Sequence, residues 1–105
     1  MKLKKLLKQQ NNMLSKIPID LTTIAHSEID KEVLRSAIIA ELDAINLYEQ
    51  MSESATSADI KNLLLDIAKE EKVHYGEFQA ILLELDKEQV DGIEQGQKEV
   101  NNLTK

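Results

Sequence analysis

The chain has no cysteine and no tryptophan, one proline, three glycines and only 3% aromatic residues among its 105 positions. Without cysteine there is no disulfide, no thiolate ligand and no iron–sulfur cluster. Any metal must therefore be held by oxygen and imidazole nitrogen, which favours iron, manganese or zinc. Long apolar runs are also missing: no stretch of about 18 uninterrupted apolar residues is present, so nothing spans a bilayer. Lys2, Lys4, Lys5 and Lys8 crowd the N-terminus, but no compact apolar segment with a small-residue cleavage site follows them. A cytoplasmic protein without a secretory signal or membrane partner is expected. The formal net charge of -6 argues against a nucleic-acid surface, because neutralising phosphates takes clustered Lys and Arg. An acidic chain suits cations instead.

What is present is aliphatic: 42% of the residues are hydrophobic, which with few aromatics points to one small all-α domain rather than a sheet. Residues 1–26 form a basic leader in which Leu3, Leu6, Leu7 and Leu14 have the spacing of a weak amphipathic helix, broken at Pro18. A detachable tail is expected there. Ser27, with Asp30 three residues on, resembles an N-cap opening a periodic run to about Ser52. The polar cluster Ser54-Ala55-Thr56-Ser57 makes a turn, Ser57 caps again, and a second helix is expected from Ala58 to about Lys87. The helical hairpin thus occupies 27–89. Over 90–105, Val90, Ile93, Val100 and Leu103 keep a looser helical spacing against Gly92 and Gly96, each costing about 1 kcal/mol in a helix interior. A short, frayed C-terminal helix or tail follows.

An antiparallel two-helix hairpin buries only one face of each helix and has too little core to stand alone. The simplest completion is a homodimer in which two hairpins form a four-helix bundle, their seams facing one another.

Those seams carry polar residues where apolar ones belong. On the first helix the series runs Leu34, Ala37 or Ile38, Glu41, Ile45, Tyr48, Met51. On the second it runs Ile60, Leu63 or Leu64, Ile67, Glu71, His74, Phe78, Ile81, Leu85, so a carboxylate and an imidazole share one buried stripe. A buried carboxylate needs protonation, an ion-pair partner or a metal. No Lys or Arg shares the seam. Di-iron carboxylate bundles draw a Glu from each of two helices and Glu-x-x-His from each of the other two, and this chain holds half that set. Doubling it gives four Glu and two His around two metals. Carboxylates are hard, anionic and able to bridge two cations, while neutral imidazole ligates from one side.

Blander readings accompany each residue. His74 alone reads as a hydrogen-bonded core histidine, and the three together as a buried polar network fixing register. Tyr48, seven residues and about 10 Å beyond Glu41, is either a phenol that serves the metal site or an aromatic packing residue. Gly76 either admits a close neighbour or is simply tolerated. Asp43, Glu70 and Glu77 lie nearest the ligand positions and read as a solvated face or a cation route.

The stretch from about Ile29 to Gln89 resembles the encapsulated ferritin family of the ferritin-like superfamily. Glu41-Leu-Asp-Ala-Ile-Asn-Leu-Tyr48 is similar to the family's first-helix motif, and Glu70-Glu71-Lys-Val-His74 to its second. The resemblance implies that Glu41, Glu71 and His74 bind iron and that Tyr48 lies near the di-iron centre. It implies a dimer at minimum, assembling as a decamer of five dimers, and storage of oxidised iron inside an encapsulin shell. The expected activity is that of a ferroxidase, oxidising Fe(II) with O2 at a centre formed across the homodimer; Zn, Mn or Ca are expected substitutes for iron. A rubrerythrin-like peroxidase or hydroxylase uses similar ligands, and a non-catalytic dimeric helical module is the alternative outside enzymes. Three departures stand out: Ala40 and Leu47 replace an acid and a tryptophan that members can carry, and residues 99–105 contain no Gly-rich apolar docking tail.

Overall fold

The computed structural model describes residue 25 and residues 28–105, and these form three helices and no strand. Pro18, Ser27 and the leader expected over 1–26 lie outside the described residues, apart from residue 25. Helix α1 spans Ile29–Ser54, α2 Ala58–Leu85 and α3 Lys87–Thr104.

Each boundary has a local cause. The N-cap of α1 is Glu28, one residue beyond the expected Ser27, and its side chain makes no capping bond. Asp30 and Glu32 in the first turn instead oppose the positive end of the helix dipole. The helix runs two residues past the expected Ser52 and stops where Ala55 turns extended and donates its N–H to the Met51 carbonyl. The expected cap of α2 is present: the Ser57 hydroxyl accepts from the Ile60 N–H at 3.4 Å. Asp86 ends α2 two residues before the expected Lys87, because it serves at the same time as N-cap of α3, accepting from the Gln89 N–H at 3.1 Å.

The C-terminal helix is longer than expected and unbroken over 18 residues despite Gly92 and Gly96. Contacts one turn apart offset the glycines: Lys87 to Asp91 at 3.4 Å, Gln95 to Glu99 at 3.3 Å and Gln97 to Asn101 at 3.1 Å. Each such pair contributes roughly 0.2–0.5 kcal/mol.

α1 and α2 pack as an antiparallel hairpin. Bridges between them occur in opposite order along the two helices: Arg35 to Asp86 at 2.8 Å, then Glu41 to His74 at 3.7 Å, then Glu49 to Lys72 at 3.5 Å nearest the turn. α3 packs far less extensively on the pair than α1 and α2 pack on each other. The core is thin, with Ile45, Ala68 and Leu82 its buried apolar residues and Ser52 and Asp86 buried beside them. Ser52 takes the inward position at the turn end that the sequence assigns to Met51, which is exposed. Two residues beyond Ser52 α1 ends, and the turn to α2 is three residues long. The radius of gyration is 18.2 Å, against about 13 Å for a compact domain of 100 residues. One chain is an open shape with unburied apolar surface.

Candidate metal centre

Glu41 lies in the middle of α1, and Glu71 and His74 lie in the middle of α2. The hairpin register brings them level. His74 Nδ1 stands 3.5 Å from Glu71 Oε2 and 3.7 Å from Glu41 Oε2, and one ligand atom from each residue falls within 4.8 Å of the others. Among the described residues no other cluster of three such side chains has this spacing. The two helices therefore converge three donors, two of them anionic and one imidazole, on a common point.

Burial divides the three unequally. The Glu41 and Glu71 side chains retain 16% and 19% of their exposure, whereas His74 retains 48%. The expectation of one buried stripe on α2 needs correction, because that stripe merges two faces. One face, with Leu64, Ala68, Glu71 and Leu82, turns toward α1; the other, with Ile60, Leu63, His74, Ile81 and Leu85, is exposed. At 100° per residue these faces lie only about a quarter-turn apart, too close for hydropathy to separate. Glu71 sits on the boundary between them.

The electrostatics are those of a site short of positive charge. Glu41 Oε2 is buried without a hydrogen-bond partner. Burial, reinforced by the neighbouring Glu71 carboxyl, pushes the Glu41 pKa above the ordinary carboxylate value, with His74 acting in the opposite direction. At His74, loss of solvation works to lower the pKa, but Glu71, then Glu41 and Glu77, outweigh it and hold the ring above the ordinary histidine value. Arg35, the one arginine of the chain, is committed to Asp86 and Glu32. Lys72, next to Glu71 in sequence, reaches out to Glu49. A divalent cation fits this unmatched set: it supplies a partner for the orphaned Glu41 oxygen, and hard carboxylates with one imidazole match iron, manganese or zinc.

Tyr48 is half-buried on α1, two turns beyond Glu41. Asp43, Glu70 and Glu77 are exposed. The sequence reading missed Arg35 and Asp86, which fix the elbow between the hairpin and α3. Arg35 and Glu32 on one helix face were a visible sign, and so was Asp86 three residues before Gln89, a capping pattern hidden inside an apparently continuous helix.

The rubrerythrin family pattern matches residues 32–104. A ferritin-like–encapsulin shell fusion protein of Pyrococcus furiosus is 58% identical over 73 residues, covering 70% of this chain and 21% of that protein. The chain thus spans about a fifth of that relative's length. The crystal structure of an encapsulated ferritin domain from Pyrococcus furiosus superposes with a TM-score of 0.75 at 49% identity, covering 85% of this chain and 96% of that one.

Proposed function

The chain belongs to the rubrerythrin family, among its encapsulated ferritins, and its function is iron-related; from that premise we propose that it is a ferroxidase, oxidising Fe(II) to Fe(III) with O2 for iron storage or detoxification. The observation that carries the reading is the preformed half-site: Glu41, Glu71 and His74 gathered within 4.8 Å, with a buried Glu41 oxygen lacking a partner.

Three ligands are too few to enclose a metal pair, and the more exposed of them, His74, lies on an apolar face with Leu63, Ile81 and Leu85. Two chains related by a two-fold axis cover that face and bring two half-sites together, giving four carboxylates and two imidazoles. Glu41 and Glu71 then neutralise the cations and favour the higher charge of Fe(III), while His74 supplies a nitrogen donor to each half. Burial of the carboxylates keeps their charge from being screened by water. Two Fe(II) bound as substrate would give up one electron each, which with two protons reduces one O2 to hydrogen peroxide. Tyr48, two turns along α1, is the phenol available to exchange a proton or electron with the centre. The encapsulin segment named in the fusion relative supports a shell as partner, with the oxidised iron accumulating inside it.

Fe(II) oxidation followed by absorbance tests the reading, with wild type compared to Glu71→Ala. Oxidation well above the uncatalysed background in wild type alone is expected. Equal rates at background for both proteins would overturn the ferroxidase assignment even where metal binds.

A further inference from the structure

The charge of the chain is unevenly divided. Residues 1–24 hold five lysines against one aspartate, a net +4, whereas residues 25–105 hold eight Lys and Arg against eighteen Asp and Glu, a net -10. Acid is dense at the end of the hairpin where α1 begins and α2 meets α3. There Lys31 is paired with Glu28, Arg35 with Glu32 and Asp86, and Lys87 with Asp91. Asp30, Glu84 and Glu88 have no cation among the described residues. A basic segment attached at this end therefore meets uncompensated carboxylates. Exposed ion pairs are weak in water, so charge orients such a segment and an apolar surface must seat it.

The elbow supplies that surface. A groove of about 620 Å³ is lined by Ile38 and Ile39 of α1, Tyr75, Leu82 and Leu83 of α2, and Ile93 of α3. Ile39 and Ile93 are 58% and 44% exposed on its walls. At 100° per residue, Leu83 lies about 180° round α2 from His74, and Ile39 about 160° round α1 from Glu41. The groove thus opens on the side of the hairpin away from the face that the proposed dimer covers. A second copy is a poor occupant, because its residues 25–105 bring the same excess of acid to an acidic rim.

The chain's own leader has the complementary pattern. Wound as a helix, Leu3, Leu6, Leu7 and Leu14 fall within about 100° of one another, and Lys2, Lys4, Lys5 and Lys8 occupy the rest of the circumference. Its tether is long enough. The Ala25 carbonyl accepts from the Glu28 N–H at 2.8 Å, which anchors the leader at the start of α1; residues 15–24 extend to about 35 Å at most, and Ile39 lies only about 15 Å along α1 from Ile29. We propose that the leader is a strap across the elbow groove of its own chain. Its leucines cover Ile39, Leu83 and Ile93, its lysines meet the acids at the rim, and the strap braces α3 against the hairpin.

The test uses the full chain and its lack of tryptophan: Leu7→Trp and, separately, Leu14→Trp each place a single indole in the leader. At low salt both should give blue-shifted emission and resist acrylamide quenching severalfold better than the same proteins in denaturant. Adding Ile39→Glu with Ile93→Glu should red-shift the emission and restore quenching. Lys4→Glu with Lys5→Glu should do the same while leaving the groove intact, and circular dichroism checks that helices 29–104 persist in every variant. Solvent-like emission from both tryptophan variants would overturn the proposal. So would buried emission that ignores both the groove and the lysine changes, because the leader would then be seated elsewhere. Chains with Leu7→Trp, refolded together with an excess of chains carrying Ile39→Glu and Ile93→Glu, identify the owner of the groove. Buried emission should survive that mixing; its loss would assign the leader to a second copy and overturn the strap.

Discussion

Replacing Glu41 by glutamine should strengthen the metal-free protein and cripple the metal-bound one. The Glu41 and Glu71 oxygens lie within 4.8 Å, a separation at which two like charges repel by about 3.5 kcal/mol at an effective dielectric of 20 and about 0.9 kcal/mol at 80. Both side chains are mostly buried but stand beside a half-exposed His74, and a protonated imidazole returns part of this cost. A net gain of about 1 kcal/mol on neutralising Glu41 follows, which for a domain of this size raises Tm by about 4–8 °C. The pH dependence has a definite sign. Because the folded-state pKa of Glu41 is raised, its charge destabilises the fold above that pKa, and the cost disappears as pH falls toward the ordinary value of 4.5. The advantage of the variant should therefore be present near neutral pH and vanish in acid. Adding Co(II) should reverse the order: a metal at 100 times its Kd stabilises wild type by about 2.7 kcal/mol, while glutamine offers no anion and loses most of that shift. Thermal unfolding by circular dichroism at one protein concentration, with chelator and then with Co(II), measures both arms. A chelated Glu41→Gln less stable than wild type, together with an undiminished metal shift, would refute the reasoning.

Three further outcomes follow from the same structure. Ser57→Ala removes the cap of α2 and should cost about 1 kcal/mol, seen as a lower Tm with Co(II) affinity unchanged. Asp86 has its pKa held below the ordinary carboxylate value, first by the Gln89 N–H and then by Arg35; it contributes stability above the unfolded-state value of 3.8 that is lost as pH falls through the lowered pKa. Asp86→Asn should flatten that acid limb of the stability profile and speed hydrogen exchange at the Gln89 amide. Leu63→Glu combined with Ile81→Glu places charge on the exposed face of α2 and should yield a helical monomer by sedimentation that no longer oxidises iron; a dimer that persists unchanged would move the interface to another face.

Much of this was legible in the amino-acid order because the strongest signals are local. Apolar periodicity set α1 and α2, Ser57 declared its helix start, and Glu41, Glu71 and His74 broke that periodicity at the level where the hairpin gathers them. The misreadings came where one residue serves two elements or two faces run side by side. Asp86 ends one helix while capping the next, so a continuous helical pattern concealed a junction. The α2 stripe joined inward and outward positions, and only packing against α1 separates half-buried Glu71 from exposed His74. Met51 and Ser52 exchanged roles at the turn end, where the serine is buried and the methionine exposed against their hydropathy.

The central claim is that two identical half-sites meet across a dimer interface to make one metal-pair centre. Native mass spectrometry of the chelator-treated protein, titrated with Fe(II) without oxygen, tests it most directly by reading assembly and metal content in one spectrum. The account predicts even-numbered assemblies built from dimers, carrying one iron per chain at saturation, and loss of that iron in Glu41→Ala, Glu71→Ala and His74→Ala. Iron bound at one per chain on monomers that never associate, or dimers that take up no iron, would contradict it.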